Sequence, residues 1–205
     1  MIDVLSFALL AVASLVAVVE PGSNIVIYLS LTRDMTGEEK RRIVSKAMKI
    51  SFLVLAFFAV AGQLVFSFFN ITISAFQIAG GVLLVDVALR MLHPGKDEYS
   101  REELEDVAIV PLAFPLTAGP GSITTVMLLM SQANGLFEWP FVFVAIFVSV
   151  LLSYVGMRYA SRLSGALGNE GLHVVTKIMA IIVLAIAVQF LINGVTDVAG
   201  HILNP

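Results

Sequence analysis

The feature that most limits this chain is the separation of its charge from its apolar sequence. Two stretches, Arg33 to Lys49 and Arg90 to Asp106, hold most of the charged side chains. Around them run long apolar segments at about 4–31, 50–69, 72–92, 107–131, 141–159 and 174–193. About 20 helical residues cross a bilayer core, so the segments predict six transmembrane helices in an all-α integral membrane protein. Hydrophobic residues make up 59% of the 205 and charged ones 13%. That is about half the charge density of a soluble domain. A net charge of −3 with no basic face argues against nucleic acid as a partner. There is no cysteine, which excludes disulfides, zinc ribbons and thiol catalysis. His93, His173 and His201 show no metal spacing, and neither HExxH nor GxSxG occurs. The chain therefore reads as no enzyme, with no metal and no cofactor.

All twelve Lys and Arg residues fall in or beside the connections 32–49, 93–106 and 160–173. The positive-inside rule makes those connections cytoplasmic. The expectation is a multi-pass protein of the cell membrane with both termini outside. Met1-Ile2-Asp3 lacks a basic n-region, so the first apolar run reads as a span of the mature protein.

The first and fourth runs are overlong, and both are interrupted by the same tripeptide. Pro21-Gly22-Ser23 recurs as Pro120-Gly121-Ser122, at an offset of 99 residues. Each half then reads as a broken span followed by two whole ones. Three spans per half invert the second half, giving an inverted-topology repeat. The single transmembrane domain 1–205 thus divides into repeats of about 1–98 and 99–205, with breaks near mid-membrane.

Non-helical backbone at membrane depth survives only inside protein or beside a water-lined cavity. A helix restarting after such a break presents unpaired N–H groups and a partial positive charge. The restarts are expected near Asn24 and Ile123, with Ser23, Asn24 and Ser122 as N-cap types. Two such termini suit a carboxylate, while Glu20 and the freed carbonyls of 17–20 and 115–118 suit an ammonium. Together they fit a small amino acid. The expected substrate site is Glu20, Gly22, Ser23 and Asn24 at one break, with Thr117, Gly119, Gly121, Ser122 and Thr124 at the other. Thr117 and Thr124 have an ordinary alternative, bonding their own helix backbone.

The runs VVEPGSNIVIYLSLT, FQIAGGVLLVDVALRML (76–92) and PLAFPLTAGPGSITTVMLL (111–129) resemble the MarC family of six-span membrane proteins. This family is also described as small neutral amino acid transporters related to LysE-type exporters. The resemblance covers essentially the whole chain. It implies secondary transport of glycine, alanine and similar amino acids, coupled to protons, with Na+ as the alternative ion. The family's first break usually begins Asp-Pro or Asn-Pro, whereas this chain has Glu20-Pro21.

An ionisable group at depth is costly unless paired or protonated, which suits Glu20 to proton coupling. Its alternative role is to satisfy backbone N–H groups at the break. Asp86 and Arg90 stand four apart on one helix face and are expected to pair, as a gate or a structural tie. Gly80-Gly81 is expected to let helices approach closely, and Gln63, Gln77, Gln189 and Asn193 to bond between helices. Alternating access around a midplane site is the leading reading. Export of another small solute by the same architecture, or a channel, is the alternative; no continuous polar stripe supports a channel. Six spans in 205 residues make a thin bundle, compatible with a homo-oligomer.

Overall fold

The computed structural model describes residues 4–32, 35–92, 108–133 and 137–203. They form helices α1 (Val4–Val19), α2 (Pro21–Leu31), α3 (Gly37–Phe68) and α4 (Ile73–Leu92). An irregular α5 (Ala108–Thr117), α6 (Pro120–Gln132) and α7 (Trp139–Leu203) follow. No strand occurs among the described residues. Gly37–Phe68, Trp139–Ala160 and Ala180–Gly200 are long and apolar enough to cross a membrane. α5 and α6, bent by 53° at their break, make a fourth candidate if taken together. Val4–Val19 and Ile73–Leu89 are apolar but shorter. The described residues are therefore all-helical with three to four candidate spans, each at the place of a predicted one.

Local signals set the ends of α3. Thr36 and Glu39 form a capping box: the Glu39 N–H donates to Thr36 Oγ1 (3.3 Å), and the Thr36 N–H donates to Glu39 Oε2 (2.8 Å). At the other end Asn70 is left-handed (φ 52). The Ile71 N–H reaches the Phe66 carbonyl (2.9 Å) and the Asn70 N–H the Ser67 carbonyl (3.2 Å), a Schellman closure. Thr72 Oγ1 then accepts from the Ala75 N–H (3.1 Å) and starts α4. Thr36→Ala is expected to destabilise the first turn of α3 by about 1 kcal/mol. Hydrogen exchange at residues 37–40 should quicken, and unchanged exchange would deny the cap its role.

The predicted connection at 160–173 is instead helical, and backbone helix runs from Trp139 to Leu203. This run does not extend straight. Phe147 meets the Phe52 ring edge-on, with centroids 6.5 Å apart. Asp197 is hydrogen-bonded to Ser74, near the Phe66–Phe76 ring pair. Along a straight helix, 147 and 197 would be ~75 Å apart, whereas Phe52 and Phe66 on α3 are only ~21 Å apart. α7 must turn between its two apolar arms, Trp139–Ala160 and Ala180–Gly200. Helical hydrogen bonding can persist where apolar periodicity lapses, so the sequence read a loop here.

A stripe at fourfold spacing on α1 (Phe7, Ala11, Leu15, Val19) is buried, as helix periodicity requires. Phe7, Ala11 and Leu15 belong to one core with residues of α3, α6 and the first arm of α7. Ile27, Leu84, Val87, Ala88, Ala180 and Val183 belong to a second, joining α2, α4 and the second arm. Leu9, Leu53, Val60, Leu64 and Ile181 are exposed, the side chains that hydrocarbon rather than water would solvate.

Candidate functional site where two helix breaks meet

Both Pro-Gly-Ser motifs break the backbone, and both restart it in the same register. α1 ends at Val19, Glu20 turns left-handed (φ 46, ψ 64), and α2 begins at Pro21. At the second break Gly119 is extended (φ −76, ψ 174) and α6 begins at Pro120. Proline favours the first helical position because its missing N–H would have no partner there. The Asn24 N–H bonds the Glu20 carbonyl (3.2 Å) and the Ile123 N–H bonds the Gly119 carbonyl (2.9 Å). The restarts thus fall earlier than expected, at Pro21 and Pro120. Ser23, Asn24 and Ser122 are not caps but lie inside the first turn. Among the described residues, neither N-cap residue, Glu20 or Gly119, makes a side-chain cap hydrogen bond, and the N–H groups of a first helical turn have no partner within their own helix.

Upstream of the second break α5 is wound unusually wide. The Ala118 N–H donates to the Ala113 carbonyl (2.8 Å). Thr117 Oγ1 donates to the Leu112 carbonyl (2.8 Å). Val110 and Phe114 are extended (φ −123, ψ 118 and φ −135, ψ 132). Each precedes a proline, whose ring disfavours helical backbone in the residue before it. A Cβ at Gly119 would overlap the Pro115 carbonyl oxygen, so this turn closes only around glycine.

The two breaks touch. Asn24 Nδ2 donates to the Val19 carbonyl (2.8 Å) and, at 3.4 Å, to Thr117 Oγ1. That second bond joins residues 93 positions apart. Asn24, Thr117 and Ser122 are 2%, 0% and 2% exposed. The Ser122 hydroxyl has no hydrogen-bond partner among the described residues, an uncommon state for a buried polar group. A Cβ at Gly121 would lie 3.1 Å from Val18 Cγ1. α4 closes the junction from behind, as its paired glycines led one to expect. A Cβ at Gly80 would meet Pro120 Cγ at 2.6 Å, and one at Gly81 the Ala187 carbonyl at 2.9 Å.

Other candidates sit elsewhere. Glu20 and Gly22 are exposed. Thr124 Oγ1 donates to the Gly121 carbonyl (3.0 Å), and Thr125 does the same (2.8 Å); Thr124 therefore bonds its own helix. Gln189 donates to Asn193 (2.7 Å) one turn along the same helix, not between helices. Asp86 is on the exposed side of α4. The side chains of Ser23 and Arg90 lie outside the described residues, and with Arg90 the expected Asp86–Arg90 pair. Val18 and the Leu112 carbonyl, both at the junction, carry no signal in sequence, being one more apolar residue and one more backbone group.

Residues 5–199 match the family model described as MarC family integral membrane protein. A UPF0056 membrane protein of Aquifex aeolicus is 37% identical over 199 residues, covering 93% of each chain. UPF0056 membrane protein YvbG of Bacillus subtilis is 33% identical over 198 residues, covering 92% of this chain and 94% of its own. A Methanocaldococcus jannaschii relative is 32% identical over 198 residues, covering 93% and 97%. No solved structure matches. The chain belongs to the MarC family of integral membrane proteins.

Proposed function

We propose that this protein is a secondary transporter of small neutral amino acids such as glycine and alanine, working by alternating access at the junction of its two breaks. The observation that carries this reading is the Asn24–Thr117 contact, which brings two uncapped helix starts and the carbonyl of Val19 together in a buried place. The outward N–H groups of Gly121 and Ser122 would take the substrate carboxylate, aided by the partial positive charge of α6. The Ser122 hydroxyl would donate beside them. The Val19 carbonyl and Thr117 would take the ammonium. Gly80 and Gly121 keep the space around the break small, which favours substrates with little or no side chain. The six apolar segments serve as six spans in two inverted repeats, in the cell membrane, with basic connections inside and both termini outside. Protons drive the cycle, with Glu20, exposed at the mouth of the first break, as the coupling group.

Labelled glycine and alanine uptake into proteoliposomes, with and without an imposed pH gradient, tests this. Wild type should accumulate both under the gradient. Gly121→Leu should lower uptake at least tenfold, because its side chain would drive into Val18. Glu20→Gln should keep exchange of substrate across the membrane but lose the response to the gradient. Retained gradient-driven uptake in Glu20→Gln would leave the site standing and remove Glu20 from coupling. No uptake by folded, inserted wild type would sink the substrate assignment and point to export of another small solute.

A further inference from the structure

A polar face of α2 leads from the junction to a cavity. Asn24, Tyr28 and Thr32 follow one another at single turns on that face, and are 2%, 1% and 0% exposed. Tyr28 lines a cavity of about 340 Å³, together with Gly37, Lys40 and Val44 of α3 and Tyr154 and Arg158 of α7. The cavity opens to the surface at Gly37, which is exposed. Its deeper end reaches the level of the junction. A Cβ at Gly156 would overlap Ile25 Cδ1, so α2 and α7 are packed side by side there. Tyr154 is two residues from Gly156, ~3 Å of helical rise, and Asn24 is next to Ile25. Tyr28 stands between, one turn or ~6 Å along α2 from Asn24. Its hydroxyl is lightly held, donating to the Lys40 carbonyl at 3.4 Å, long for such a bond. The opposite approach to the breaks is apolar. Phe66 of α3 meets Phe76 of α4 with ring centroids 5.3 Å apart, and Phe76 meets Phe114 of α5 at 5.8 Å. Phe114 is three residues before Thr117, and Phe66 lies at the other end of α3 from Lys40.

We propose that this cavity is the cytoplasmic vestibule of the junction, and that the Tyr28 ring is the gate between the two. The inference rests on the transport reading for the solute that passes, and on the orientation proposed above for the side it enters from. A small polar solute crossing packed phenylalanine rings would lose its hydrogen bonds with nothing in exchange. Along α2 it meets the Asn24 amide, then the Tyr28 hydroxyl, then an open cavity. Opening that route takes the rotation of one side chain and the loss of one long hydrogen bond, a small cost. Opening the other takes the parting of rings from three helices. The described arrangement is thus shut firmly on the outer side and one tyrosine short of open on the inner side.

The chain holds no cysteine, so introduced thiols report access without background. Tyr154→Cys marks the cavity, and Ser122→Cys, a change of one atom, marks the junction. The probe is an anionic, membrane-impermeant methanethiosulfonate, applied to spheroplasts or to inverted vesicles. Tyr154→Cys should react from the cytoplasmic face only. Ser122→Cys should react slowly, and at least tenfold faster from the cytoplasmic face once Tyr28→Ala is added, with no gain from outside. Tyr28→Leu should give a severalfold gain and serves if Tyr28→Ala does not fold. Tyr28→Phe keeps the ring and should leave the rate within twofold. Failure of Tyr154→Cys to react from the cytoplasmic face would overturn the vestibule. Equal gains from both faces, a gain in Tyr28→Phe as large as in Tyr28→Ala, or no gain in a folded Tyr28→Ala or Tyr28→Leu protein would overturn the gate. These readouts need no substrate. The expected labelling without amino acid uptake by wild type would sink the substrate assignment and leave the route; uptake without that labelling would sink the route alone.

Discussion

Gly119→Ala is expected to cost ~3 kcal/mol or more of stability, enough to lose most folded protein on purification. The reason is steric and local. The added methyl would occupy the place of the Pro115 carbonyl oxygen. That carbonyl sits on a turn held by the Thr117–Leu112 and Ala118–Ala113 bonds. Backbone cannot swing aside as a flexible side chain can, so relief requires the wide winding of α5 to open. Gly22→Ala is the matched control, since a methyl there meets nothing within 4 Å. It lies in the first turn of α2, where alanine is the better helix former, and should leave stability unchanged or raise it by up to about 1 kcal/mol. Thermal unfolding in detergent would compare the two. Equal midpoints would mean that the second break is not held in the described geometry.

Asn24→Ala is expected to destabilise the fold by about 2 kcal/mol, and Asn24→Asp by more. The side-chain amide donates to both the Val19 carbonyl and Thr117. Alanine leaves those acceptors bare. Aspartate places a carboxylate against a carbonyl oxygen with no donor between them, inside a 2% exposed site, which is costlier than an apolar gap. A double-mutant cycle with Thr117→Val isolates the bond between the two breaks. Its coupling should be small, about 0.6 kcal/mol, as is usual for hydrogen bonds between membrane helices. Amino acid transport, if it runs through this junction, should fall far more than stability in Asn24→Ala, by at least a hundredfold. Transport at the wild-type rate in a folded Asn24→Ala protein would move the site elsewhere.

The breaks were legible because proline and glycine act locally, but the restarts, expected near Asn24 and Ile123, fall at Pro21 and Pro120, because proline takes the first helical position. Close helix approach at Gly80-Gly81 was legible from two adjacent glycines inside an apolar run, but not that Pro120 is what meets Gly80. The bond between Asn24 and Thr117 was not, since hydropathy is blind to which of several buried polar groups meet across 93 residues. Glu20 shows a different limit. Its backbone is left-handed, a conformation that Asn and Asp adopt more readily than other residues bearing a Cβ. Sequence could show the unusual carboxylate but not that it stands exposed at a left-handed turn. The Tyr28 cavity was hidden for the same reason as the Asn24 bond: its cations come from stretches that only folding brings together.

The length of α3 has a mechanical consequence. Its 32 residues measure ~48 Å, against a hydrocarbon thickness of about 30 Å. From Ile50 to Phe68 the helix is free of charge and fills that thickness, while Lys46 and Lys49 mark the waterline. Sinking it by one turn would drag two ammonium groups into oil; raising it would draw Phe68 and Phe69 out. α3 is thereby moored at a fixed draught, like a piling in a harbour. Any vertical displacement of one helix past another would then fall to the short, jointed helices that lean against it, while the membrane would hold the post upright.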